Sequence, residues 1–157
     1  MENRIVHKVS FGKGTHLISI SYSESKDDKV LESDEMYSKQ FKAALANLRG
    51  AVQTVMKWDA KTMLVSTVDK IVFETEKKPA SITFRASLAD DAWGWQSFGV
   101  GMALRKLNEM DFVELNGITV PSDYAKLTNC IEEIRKCCEN YLEGERAEPE
   151  PELDFGE

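Results

Sequence analysis

Long hydrophobic runs are missing from this chain, and no stretch approaches the ~18 apolar residues that a membrane span requires. The opening segment "MENRIVHKVSF" alternates like a strand and lacks the apolar centre of a signal peptide, so a cytoplasmic setting is expected. Histidine is scarce: His7 and His16 are the only two, both near the N-terminus, which leaves a His-dependent nucleophile or base few places to sit. Cysteine is scarce too. Cys130, Cys137 and Cys138 are odd in number, clustered, and contain no C-x-x-C pair. They read as reduced thiols filling a core, so neither a disulfide framework nor a metal site is expected. No cofactor is called for and no nucleophile-base pair is evident, so the expected function is not enzymatic.

Two glycine-containing stretches fail as nucleotide motifs. "GKGT" at 12–15 lacks the phosphate-loop glycine at position 7, where His7 stands, and its context is strand, turn, strand. "GVGMAL" has Leu104 where a dinucleotide fingerprint needs its third small residue. Asp90 and Asp91 follow a strand pattern and read as a turn.

What the chain does have is a balanced body and an acidic end. Of 27 acids and 20 bases overall, seven acids and one base (Arg146) fall between 143 and 157, leaving 1–142 almost neutral. This segment, 143–157, which closes on "EPEPELDFGE", cannot bury enough apolar area to offset chain entropy and reads as a disordered acidic tail. Residues 1–142 read as one domain, long enough to hide roughly 70% of its unfolded surface without staples.

Within that body, period-two alternation at 4–11 and 16–22 around "FGKGTH" predicts a β-hairpin, with Ile5, His7, Val9 and Phe11 on one face. "ESKDDK" then reads as a polar connector. Ser33 is expected to cap a helix over 34–57, whose Tyr37, Phe41, Ala44, Leu45, Leu48, Val52, Val55 and Met56 form one stripe interrupted by Gly50. Strands are expected at 62–68, 71–76 and 81–88. "WGWQSFGVG" reads as strand or loop, "MALRKLNEM" as a short helix, and "FVELNGITV" as a hairpin turning at Asn116-Gly117. Ser122 is expected to cap a second long helix lined by Leu127, Cys130, Ile131, Ile134, Cys137, Cys138, Tyr141 and Leu142. Strands in blocks joined by short turns predict an α+β fold, an antiparallel sheet packed on one face by both helices.

The candidate binding residues are cations and aromatics. Lys8 and Lys13 fall in the first hairpin, Lys70 in the central strands, Lys77 and Lys78 at a turn, and Arg85 on the polar side of "SITFRASL". If the strands pair in order, several share the sheet face away from the helices, either as solvated residues or as a track for a nucleic-acid backbone. Trp93 and Trp95 point the same way if extended, as a core wall or as a stacking surface for bases.

The stretch "GITVPSDYAKLTNCIEEI" resembles the C-terminal strand and helix of the positive-cofactor-four family of single-stranded-DNA-binding transcription cofactors, and related Whirly-type proteins are similar. The resemblance implies a helix packed on a curved antiparallel sheet, single-stranded DNA binding and a homodimer. The end "EPELDFGE" is similar to the acidic tails of bacterial and phage single-stranded-DNA-binding proteins. That likeness implies that Leu153, Asp154 and Phe155 form a hook for a replication, repair or transcription protein. The sequence therefore points to a single-stranded nucleic-acid-binding protein of phage type. The alternative is a protein-binding or inhibitor module that touches no nucleic acid. A homodimer is also expected from the helices, whose apolar stripes look larger than one small sheet can cover.

Overall fold

The structure, a computed structural model, describes residues 4–12, 16–75, 77–90, 92, 94–107, 110–115, 118–121 and 124–146. Lys13, Trp93, Asn116, Gly117, Ser122 and the segment holding Leu153, Asp154 and Phe155 lie outside them.

Among the described residues, eight strands and two helices follow the order β1 Arg4–Phe11, β2 Ile18–Glu24, β3 Asp27–Ser33, α1 Lys39–Met56, β4 Met63–Val72, β5 Ser81–Asp90, β6 Gly94–Leu107, β7 Met110–Leu115, β8 Ile118–Pro121, α2 Tyr124–Leu142. The strands form one sheet in the order β3-β2-β1-β4-β5-β6-β7-β8, with every neighbouring pair antiparallel. Both helices pack on one face, which makes the protein α+β.

The core lies between that face and the helices. Phe41, Leu45, Leu48, Val52 and Val55 on α1 face inward, and so do Leu127, Ile131, Ile134, Cys138 and Tyr141 on α2. Opposite them stand Val9, Ile20, Ile71, Ile82, Phe84 and Met102, all within 2% of complete burial. Sites spaced three and four along each helix put one stripe on the sheet, which hides both stripes within a single chain. The helices therefore do not supply the surplus apolar surface expected of them.

Bulges account for most of the other differences from the expected strands. The β1–β2 register slips at His7, so Val6 and Val9 face the core and Ile5 is turned outward. His7 itself is half-buried and shares a short hydrogen bond with Ser23 Oγ. In β4 the register slips twice, at Ser66 and Asp69, and Val65, Val68 and Ile71 all reach the core at a spacing of three. The two strands expected at 62–68 and 71–76 are thus one bent strand.

"ESKDDK" is no connector: Ser25 and Lys26 both take positive φ (52° and 73°) in a two-residue turn, and β3 starts at Asp27. The helix expected from residue 34 begins at Lys39, where Ser38 accepts the Phe41 N–H as N-cap. The described part of "MALRKLNEM" is not helical. Residues 102–107 continue β6 and pair with β7, and Met102 and Leu104 alternate into the core.

Candidate nucleic-acid interface

The register places the residues of the uncovered face. One row crosses it as Ser21, Lys8, Val72, Ser81, Ala103 and Glu114, and the next as Ser19, Ser10, Lys70, Thr83 and Gly101. A third row joins Thr67, Arg85 and Gly99. Lys8 and Lys70 are therefore diagonal neighbours across β1 and β4, and Lys70 and Arg85 across β4 and β5. Diagonal positions on one face lie about 7–8 Å apart, within reach of long side chains. The surroundings are mainly serine, threonine and glycine, so nothing bulky stands between the cations.

Acids flank this line. Asp28 and Glu32 occupy β3 on one side and Glu114 occupies β7 on the other, so positive charge is concentrated at the centre of the sheet. Asp69, displaced by its bulge, lies 3.8 Å from the Arg85 guanidinium and draws on part of its charge. Lys77 and Lys78 are exposed in the β4–β5 connection, whose strands meet in the row that holds Lys8. The Thr75 hydroxyl accepts both their backbone N–H groups and fixes the turn.

Trp95 stands on the same face at the far end of β5 and β6, opposite Ala89, with 52% of its surface exposed. Its role as a wall of the core is thereby excluded. The Ser87 and Ser97 hydroxyls, hydrogen-bonded at 3.0 Å, lie between it and Arg85.

A feature invisible in the sequence lies beside the cations. β1 and β4 pair only from Lys8 to Ser10 and then separate, opening a cavity of about 450 Å³. Phe11, Tyr37, Arg49, Thr67, Asp69 and Arg85 contribute to its walls. Phe11 and Tyr37 meet edge to face with ring centres 5.8 Å apart. Burial raises the Tyr37 hydroxyl pKa, with the nearby Arg49 charge acting against it. The cavity thus joins two aromatic rings to two guanidinium groups. Its one trace in the sequence is Arg49, a cation directly after core residue Leu48.

Cys137 and Cys138 are buried in the core, and burial pushes the Cys137 thiol up to about 11 and Cys138 in the same direction. They fill the core as small packing groups, held in the thiol form by burial. No cluster of metal-binding side chains occurs among the described residues. Among them, too, no helix is long and apolar enough to cross a membrane. No protein-family model, curated protein or solved structure matches the chain.

Proposed function

We propose that this protein binds single-stranded nucleic acid, DNA in the first instance, across the open face of its sheet, and that it performs no chemistry on it. One observation carries the reading: Lys8, Lys70 and Arg85 form a contiguous diagonal on an uncovered, small-side-chain face that ends at an exposed tryptophan. Phosphates would follow the diagonal and release counterions, and bases would stack on Trp95 and against the Phe11–Tyr37 cavity. Lys77 and Lys78 would extend the track past Lys8, and Lys13 and Trp93, outside the described residues, remain candidates for the same role. Along β5 the face runs for about 26 Å from Ser81 to Ala89, taking ~3.3 Å per residue. A duplex is a poor fit, because its bases are already stacked and unavailable to Trp95.

The acidic segment beyond Arg146 would compete with nucleic acid for the basic diagonal. Its Leu153, Asp154 and Phe155 would recruit a replication, repair or transcription partner. Such a division of labour suits a cytoplasmic protein of the kind phages encode.

The second reading, a protein-binding or inhibitor module, is favoured by exposed apolar side chains at one end of the sheet, Leu64 on the open face with Trp95 and Leu88 and Phe98 on the helix side. Fluorescence anisotropy separates the two. Labelled single- and double-stranded oligonucleotides are titrated with the full chain and with a chain ending at Arg146, at two salt concentrations. Arg146 is the cut because it lies 3.6 Å over the Tyr141 ring and accompanies the body. Saturable single-strand binding that weakens with salt and tightens without the tail supports the proposal; no binding by either chain at low salt eliminates it.

A further inference from the structure

Sheet edges invite association, and proteins guard them with charge, short strands, proline or covering groups. Here three edges are guarded. β3 carries Asp27, Asp28, Lys29 and Glu32. β8 has four residues and ends in Pro121. The free part of β4 is covered from α1: Gln53 donates to Met63 O at 2.7 Å, and its Oε1 accepts from Val65 N at 2.8 Å.

The outer edge of β6 has no such device among the described residues. β6 runs from Gly94 to Leu107, but β7 pairs with it only from Met102 onward. Residues Gly94–Gly101 thus keep an outer edge to which no described residue hydrogen-bonds. This stretch, "GWQSFGVG", contains no charge. Phe98 on its helix side is 40% exposed, and so is its diagonal neighbour Leu88, at 44%.

Glycines sharpen the picture. Gly99 and Gly101 lie in mid-strand, and a Cβ built on either would meet nothing within 4 Å. Packing within one chain does not require them, and glycine weakens the interior of a strand. Such glycines mark a place where another surface comes close.

We infer that this edge pairs with the same edge of a second copy, strand β6 antiparallel to β6 about a two-fold axis normal to the sheet. The axis passes through Phe98. Each Phe98 then faces the partner's Phe98 on the helix side, where an aromatic pair stabilises a strand junction. On the open side each Trp95 faces the partner's Gly101, whose missing side chain leaves room for the indole. An uncharged segment suits a partner identical to itself, because a two-fold axis brings like groups together. The inference needs no nucleic acid, although it would join the two open faces into one continuous surface.

Sedimentation velocity of the full chain across a concentration series tests it, with Phe98→Lys and Gly101→Val as variants and circular dichroism to verify folding. Phe98→Lys sets two lysines against each other at the axis. Gly101→Val fills the seat of Trp95 while favouring the strand within one chain, so it remains informative if Phe98→Lys fails to fold. The expected result is a wild-type dimer that each folded variant weakens by about tenfold or more. A wild type that stays monomeric at every concentration overturns the inference, and would leave the edge to an extended peptide from another protein. A dimer untouched by Gly101→Val overturns it as well.

Discussion

Gln53 on α1 hydrogen-bonds Val65 on the free side of β4, its Oε1 accepting the strand's N–H at 2.8 Å. The same side chain donates to Met63 O and Trp58 O, so one amide meets three backbone groups where β1 has left β4 uncovered. It locks the helix C-terminus to the strand that carries Lys70.

Replacing Gln53 with Ala should therefore cost about 1–3 kcal/mol, the penalty for leaving partly buried backbone groups unpaired. Urea unfolding measures it, with Thr54→Ala as an exposed neighbour expected to change stability by less than about 0.5 kcal/mol. Equal effects at both positions would show that the bridge does not hold the strand.

The start of α1 gives a second prediction. Ser38 caps it, whereas the Ser33 hydroxyl accepts the Glu35 N–H in a turn before it. Ser38→Ala should cost about 1 kcal/mol and Ser33→Ala much less. At the other end Lys57 holds φ 55°, a left-handed position that favours glycine, so Lys57→Gly should stabilise by about 1 kcal/mol. Thermal unfolding of the three variants checks both ends together.

These caps show how far the sequence could be read. Two serines precede the same apolar stripe, and the choice between them depends on tertiary contact: Tyr141 of α2 donates its hydroxyl to Glu35 O and holds that segment out of the helix. The helices themselves were legible, because Phe41 to Val55 and Leu127 to Tyr141 repeat at helical spacing. β3 was not, since only Val30 and Leu31 in it are apolar. Bulges at Ser66 and Asp69 broke the alternation that reveals strands, whereas the one at His7 left β1 legible and changed only which of its side chains face the core. Lys8 and Arg85 could be assigned to the polar face from period two alone. The cavity with Phe11, Tyr37 and Arg49 arises where two strands diverge, which no local pattern records.

The thiols give a pH prediction. Cys137 is raised from 9.0 to about 11 by burial, then by Glu133 and Glu145. The folded chain holds this proton more tightly than the unfolded chain does. Its contribution to stability is therefore complete below pH 9 and is lost as pH rises from 9 through 11. Unfolding midpoints across that window should fall, and Cys137→Ala should flatten the fall. A midpoint that rises with pH in this range would contradict the assignment. In the same way, native Cys137 and Cys138 should resist alkylation near neutral pH and react quickly in denaturant.

Charge reversal on the open face tests the central claim most directly. Lys70→Glu with Arg85→Glu is compared with Lys39→Glu with Lys42→Glu, an equal charge change on the exposed side of α1, by anisotropy of a labelled single strand at several salt concentrations. The open-face pair should weaken binding by more than about tenfold and lower the salt slope by about 2, one for each lost phosphate contact, while the helix pair changes little. Equal losses from both pairs, or full affinity after reversal of Lys70 and Arg85, would contradict the account.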